Sequence, residues 1–189
     1  MIRRVIALAA CAAVLAGCAS SGPLSQAPVA TYRETVNLAG SISVNYQKDG
    51  KPEPITGKFS WQQTPDRVEV SLASPLGQTM ATVTVTPASA TLTQADRSPR
   101  VAKDVETLMH DALGWSLPVS GLRDWLQGYA TGADGKRFVA SPANNSVVTK
   151  DGWRLRFVTW QDETAAVPQP KRIDADREEL AIRLAIQAQ

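Results

Sequence analysis

The chain is short of the residues from which most catalytic and metal centres are built. Among 189 residues there is one histidine, His110, and there are two cysteines, Cys11 and Cys18. A single imidazole excludes a multi-histidine metal site. A Ser-His-Asp site would have to use His110, which lies beside Met109 and Asp111 on a stretch with helical periodicity, where a surface histidine is the ordinary outcome. A surplus of either charge is missing too. Twenty basic residues against 18 acidic ones give +2, and Arg3 and Arg4 at the extreme N-terminus account for the excess. Without them the balance is zero, which removes the general electrostatic reason to bind nucleic acid or to coat an anionic membrane. Mechanistic motifs are absent as well. Gly132-Ala133-Asp134-Gly135-Lys136 is too short for a phosphate-binding loop and has Arg137 where the hydroxyl belongs, and there is no G-x-S-x-G, S-x-x-K or H-E-x-x-H. The neighbouring Glu178 and Glu179 would point to opposite faces of a strand. No catalytic residue, metal or cofactor is expected. With 20% charged and 43% hydrophobic residues the chain is globular.

No apolar run reaches the roughly 20 residues that cross a bilayer as a helix. The longest, Val5 to Ala16, follows Met-Ile-Arg-Arg and has the plan of a secretory signal over residues 1–17. It ends in Leu15-Ala16-Gly17-Cys18, which resembles the bacterial lipobox, with Cys18 as the lipidated residue. Cleavage before Cys18 would remove Cys11, so the mature chain is expected to have no free thiol and no disulfide. Attached acyl chains anchor durably when there is more than one, at about 0.8 kcal/mol per buried methylene. Ala19 follows the cysteine. By resemblance to enterobacterial sorting, where aspartate at that place retains a lipoprotein in the inner membrane, alanine implies the outer membrane. Residues 18–31 are expected to be the lipidated N-terminus and a flexible tether, small, polar and proline-containing, with one folded domain over 32–189.

From Val36 the hydrophobic period is two. Val36, Leu38, Ile42, Val44 and Tyr46 share one parity, and Lys48-Asp49-Gly50-Lys51 marks a turn. Ile55, Gly57, Phe59 and Trp61 give a second strand, Val68, Val70 and Leu72 a third, Ala81, Val83 and Val85 a fourth, and Ala90 with Leu92 a short fifth. The period then becomes helical at Val101, Val105, Leu108, Met109 and Ala112, with Ser98-Pro99 as the expected start and Gly114 as the stop. A second helix is expected at about 121–127, with Ser120 capping it, Leu122, Trp125 and Leu126 on one face, and Gly128 ending it. Val147-Val148 and Trp153-Leu155-Phe157 flank the hairpin signal Asp151-Gly152, residues 164–170 read as a loop, and Leu180 to Ile186 alternate in a last strand. The order of strands, two helices and strands predicts a mainly β, α+β domain: a curved antiparallel sheet with helices on one face.

One turn is out of character. Ser74-Pro75-Leu76-Gly77 puts a leucine between Pro75 and Gly77, where polar residues are usual. Leu76 either folds back onto the core or points outward into an apolar partner. Burying it would contribute about 1.5–3 kcal/mol, enough to bias docking at a membrane but not to anchor the domain.

With Phe59-Ser60-Trp61-Gln62-Gln63, Ser74-Pro75-Leu76-Gly77, Leu117-Pro118-Val119 followed by Leu122, Trp125 and Gly128, and the late Pro170-Lys171-Arg172-Ile173, the chain resembles the LolB family of outer-membrane lipoprotein receptors. Relatives often carry a tryptophan near the place of Gln189. The resemblance implies an incomplete antiparallel β-barrel whose helical lid closes an apolar cavity for acyl chains. It implies acylated lipoproteins as cargo, a LolA-like periplasmic carrier as donor, and a monomer lipid-anchored on the periplasmic side of the outer membrane. It also implies insertion through the loop at Pro75, Leu76 and Gly77. Candidate wall residues are Val44, Tyr46, Phe59, Trp61, Val70, Leu72, Val83, Val85, Trp153, Leu155 and Phe157. Candidate lid residues are Val105, Leu108, Met109, Leu122 and Trp125. Three acyl chains of some fifteen methylenes at about 0.8 kcal/mol each would cost tens of kcal/mol in water, so a carrier needs an apolar refuge. No nucleotide motif is present, and transfer is expected to run downhill without an energy source. The same pattern would suit another lipid-binding lipoprotein, or a non-catalytic subunit of an envelope assembly. Sequence alone does not separate a lined cavity from a filled core.

Overall fold

The computed structural model describes residues 24–48, 50–114 and 117–188. Cys18, the signal segment and Asp49 of the first turn lie outside the described residues. Strands β1 (Val36–Lys48), β2 (Lys51–Thr64), β3 (Arg67–Ala73), β4 (Thr79–Val85), β5 (Ala90–Gln94) and β6 (Arg97–Ala102) follow one another as a meander. Helices α1 (Val105–Leu113) and α2 (Val119–Trp125) come next, then a small hairpin of β7 (Tyr129–Thr131) and β8 (Arg137–Val139). A second meander closes the chain: β9 (Ser146–Val148), β10 (Arg154–Trp160), β11 (Pro170–Arg177) and β12 (Leu180–Ile186).

Ten of these strands form one antiparallel sheet in the order β6-β5-β4-β3-β2-β1-β12-β11-β10-β9. The two meanders meet where the first long strand pairs with the last. Gly40 stands opposite Ile186, Ile42 opposite Leu184 and Val44 opposite Ile182. The sheet is curved and stays open, with β6 and β9 as its edges. The period-two alternation explains its two faces. Ile42 and Val44, Phe59 and Trp61, Val68 and Val70, Ala81 and Val83, Leu155 and Phe157, and Ile182 and Leu184 all turn inward and are buried in one cluster with the helices.

Four local expectations are corrected. Residues 97–102 form an edge strand, not the first turn of a helix, and Val101 is 66% exposed. Pro99 is tolerated there because an edge strand need not donate on both sides. Helix α1 starts after Asp104, whose carboxylate accepts the Thr107 N–H at 2.7 Å and is held below its usual pKa by that bond, and it ends at Gly114 as expected. Helix α2 begins at Val119 with Pro118 at the cap and no side-chain capping bond, and Ser120 sits inside it, donating its N–H to Glu106 Oε1 at 3.3 Å. Strand β11 went unread because its only inward apolar residues are Ile173 and Ala175, between charged Arg172, Asp174 and Asp176.

The fourth correction concerns the tether, which was expected to stay loose through Thr31. It is fastened from Ser25 onward. The Ser25 carbonyl accepts the Ala143 N–H at 3.0 Å, the Val29 N–H donates to the Ala140 carbonyl at 3.0 Å, and Val29 is buried. The Tyr129 hydroxyl donates to the Ala30 carbonyl at 2.6 Å. Gln63, buried on β2, completes this strap. Its Oε1 accepts the Trp61 indole N–H at 3.1 Å, and its Nε2 donates to the Tyr32 hydroxyl at 3.0 Å and to the Arg33 carbonyl at 3.4 Å. Truncating Gln63 would leave a buried indole N–H unpaired, so Gln63→Ala is expected to cost about 1–3 kcal/mol in denaturant unfolding. It should also increase hydrogen exchange at Val29; a loss confined to the noise would show the strap to be held elsewhere.

Candidate functional site

The space between the sheet and α2 is an apolar seam. Its walls are Ile42 on β1, Phe59 and Trp61 on β2, Val70 and Leu72 on β3 and Leu184 on β12, facing Leu117, Leu122 and Leu126 from the helical side. The void left among these side chains measures about 10 Å³, roughly the least that holds one water. The seam is therefore filled by the protein's own residues. Of the wall candidates, Phe59, Trp61, Val70 and Leu72 line it. Leu122 does so from the lid, and Trp125 is buried beside it on the same helix.

The other candidates are placed elsewhere in the same core. Val44 is buried further along β1, opposite Ile182, and Tyr46 beyond it is half-buried. The Tyr46 hydroxyl donates to Glu53 at 2.8 Å, and that bond raises the phenol pKa. Val83 is buried on β4, and Val85 is half-buried at the strand's end. Val105, Leu108 and Met109 are buried on α1, which packs on β5 and β6. Trp153, Leu155 and Phe157 belong to the second meander. Trp153 meets Trp125 edge-on at 5.6 Å, and Phe157 stacks between Phe138 at 6.1 Å and Trp160 at 6.2 Å. Arg177 covers the Trp153 ring at 4.7 Å. Ile42, Leu184, Leu117 and Leu126 were not singled out as lining residues. The parity of Ile42 and Leu184 was visible, but their adjacency exists only through the β1–β12 register.

A second depression of about 240 Å³ lies at the strap end, among Val29, Leu38 and Ile186, but Arg33, Gln127, Gln161 and Gln187 share its walls. It is too polar to hold a hydrocarbon chain dry. Asp124 on α2 is half-buried, and burial raises its carboxyl pKa against the opposing pull of Arg137 and Arg123. Among the described residues no group of acidic, cysteine or histidine side chains is placed to hold a metal ion, and no helix is long and apolar enough to cross a membrane.

The turn between β3 and β4 does not fold Leu76 back onto the core: the side chain is 97% exposed. The turn is closed by three hydrogen bonds: the Gly77 N–H donates to the Ser74 carbonyl at 2.8 Å, the Ser74 N–H to the Gln78 carbonyl at 2.8 Å, and the Gln78 N–H to Ser74 Oγ at 3.2 Å. Gly77 has φ +93°, which a side chain would oppose, and Pro75 presets the preceding corner. Met80, where β4 begins, is half exposed beside a register shift. The loop thus presents an apolar tip outside the core.

The family model described as outer membrane lipoprotein LolB matches residues 34–188. Outer-membrane lipoprotein LolB of Cupriavidus pinatubonensis is 38% identical over 182 residues, covering 92% of this chain and 88% of its own. The protein of that name from Chromobacterium violaceum is 35% identical over 191 residues, covering 100% and 99%. A solved LolA superfamily protein from Nitrosomonas europaea superposes with a TM-score of 0.43 at 6% identity, over 80% of this chain and 84% of that one.

The fit of α2 to the sheet depends on Gly121. A Cβ there would stand 2.5 Å from Cζ2 of Trp125, whose ring is held in turn by Trp153. Gly121→Ala should therefore destabilise by about 1–3 kcal/mol through overpacking, although alanine is the better helix former by about 1 kcal/mol. A shift of tryptophan emission should accompany it. A stabilised variant with unchanged emission would mean the ring has room to move.

Proposed function

The chain belongs to the LolB family of outer-membrane lipoproteins, and on that footing we propose that it is a receptor that takes acylated lipoproteins from a LolA-like periplasmic carrier and inserts them into the outer membrane. Leu76 carries this reading: a fully exposed leucine on a hydrogen-bonded turn, beside a domain whose interior is an apolar seam. Lipid on Cys18 would hold the protein on the periplasmic side of that membrane, as a monomer. Leu76 then has no anchoring to do. Its contribution on entering the acyl region, about 1.5–3 kcal/mol, is small enough to be made and broken in each cycle.

Cargo acyl chains would enter the seam. Ligand pockets measure about 300–1,000 Å³, far above the void of about 10 Å³ between α2 and the sheet, so α2 has to lift away. The helix suits that movement, being seven residues long and without a side-chain cap. Uncovering Leu122, Trp125 and Leu126 costs about 1.5–3 kcal/mol each. One acyl chain of some fifteen methylenes gains about 12 kcal/mol on burial. Opening is thus driven by the arriving chain, and delivery to the bilayer continues downhill without nucleotide hydrolysis. The filled interior also fits a non-catalytic subunit of an envelope assembly. The outward leucine favours the receptor, because a filled subunit has no use for it.

Both halves of the reading are testable with purified carrier loaded with an acylated lipoprotein. Leu76→Glu should accept cargo normally and deposit it in membranes about ten- to a hundredfold more slowly, the loss expected from one leucine insertion; delivery at the normal rate would remove Leu76 from the insertion step. Phe59→Asp, checked for folding by circular dichroism, should fail to accept cargo. Normal acceptance by a folded Phe59→Asp protein would take the seam out of the acyl path.

A further inference from the structure

We propose that the convex face of the sheet beside the Leu76 turn is a docking surface for anionic phospholipid headgroups, with a phosphate seated between Lys58 on one side and Arg172 and Arg183 on the other. This rests on the reading that Leu76 meets the bilayer, and it concerns the opposite face of the sheet from the seam.

A groove of about 560 Å³ runs there, lined by Ser41, Ser43, Thr56, Lys58, Arg172 and Arg183. Pro75 also borders it, so the groove is continuous with the turn that presents Leu76. The sheet register builds it row by row. Ser41 pairs with Lys58 on one side and with Ala185 on the other, and Ala185 pairs with Arg172. In the next row Ser43 pairs with Thr56 and with Arg183. Small side chains thus form a floor, and long cationic ones stand on either side of it. Strands are spaced about 4.8 Å apart, so Lys58 and Arg183 can reach one phosphate from opposite directions.

The charge on this face is unbalanced. Asp174 is buried, its side chain 4% exposed, and three guanidiniums share its carboxylate: Arg172 in a two-bond clamp at 2.9 and 3.0 Å, Arg156 at 3.6 Å and Arg183 at 3.6 Å. The clamp raises the Arg172 pKa further. One anion for three cations leaves a surplus in this cluster, Asp176 further along the same face stands opposite Arg154, and the exposed Lys58 adds to the positive charge. Guanidinium groups suit phosphate oxygens geometrically, and the serine hydroxyls of the floor can donate as well. The near-neutral chain therefore carries local positive charge where the apolar tip of the turn would bring it to a membrane surface. Basic residues near an anionic leaflet contribute about 1 kcal/mol each, and that attraction fades with salt.

The test measures delivery of carrier-bound lipoprotein by the full-length chain, reconstituted in vesicles of phosphatidylcholine alone or with phosphatidylglycerol added. The expected result is faster delivery into the phosphatidylglycerol vesicles, with the difference shrinking as salt is raised. Lys58→Gln should reduce that preference about fivefold, and Lys58→Glu and Ser43→Asp should abolish it, while Lys58→Arg keeps it. The Lys58 variants lie outside the Asp174 cluster, whereas Ser43→Asp sets a carboxylate opposite Arg183, and thermal melts confirm the folding of all of them. Leu76→Glu should slow delivery into both vesicle types and leave the ratio intact, so failure of the insertion reading shows in Leu76→Glu and failure of the groove shows in Lys58→Glu. Wild-type indifference to phosphatidylglycerol would overturn the proposal, as would an undiminished preference in Lys58→Glu and Ser43→Asp. Equal slowing into both vesicle types by Lys58→Glu would assign the face to the carrier protein and overturn it too.

Discussion

The pairing of β1 with β12 is the constraint on which the rest of the molecule depends. Each meander forms by local hairpins, but neither buries the face it presents to the helices until Gly40 to Asn45 join Ala181 to Ile186. Side chains alternate between faces, so a slip of one residue at this junction would turn Ile42, Val44, Ile182 and Leu184 outward together. The seam and the convex groove are the two sides of this one junction. Ile42 and Leu184 meet beneath α2 on the inner side, while Ser43 and Arg183 meet on the outer side.

The inner side is closed with few loose ends. Large side chains from the sheet and the helices fill the seam, and among the described residues no buried side-chain nitrogen or oxygen lacks a partner. Gln63 shows how this is achieved, serving the Trp61 indole and the strap residues Tyr32 and Arg33 together. The strap adds stability at the end of β1 where the chain enters the fold. It also ties the chain to the folded body from Ser25 onward, six residues before the expected boundary at Thr31. A domain closed in this way can exchange its own apolar contacts for those of an acyl chain, because both are interchangeable hydrocarbon.

Two apolar investments are thus handled oppositely. Most large hydrophobic side chains enter the core, whereas Leu76 stands outside it at the tip of a turn closed by hydrogen bonds and a glycine of positive φ. The polar side of the sheet is sorted as well, with Arg156, Arg172 and Arg183 gathered around Asp174. Net charge, close to neutral along the sequence, conceals this segregation because three successive strands supply it a residue or two at a time.

The first five strands, the helical face of Leu122, Trp125 and Leu126, the hairpin at Asp151-Gly152 and the final strand were legible in the sequence, because period and turn chemistry act over a few residues. So was the oddity of a leucine between Pro75 and Gly77. Less was legible where local signals conflict with tertiary demand. Residues 97–102 look helical by spacing yet complete a sheet edge, β11 hides its inward positions among charges, and Val29 is apolar in a segment otherwise composed like a linker. By itself the sequence determined the alternation that gives the sheet an apolar and a polar face, and it made Leu76 a residue to be explained. Only the tertiary structure decided that Leu76 points outward, that the seam is filled, and which residues share it. The make-up of the seam depends on the register between strands more than a hundred residues apart, and no local pattern encodes that register.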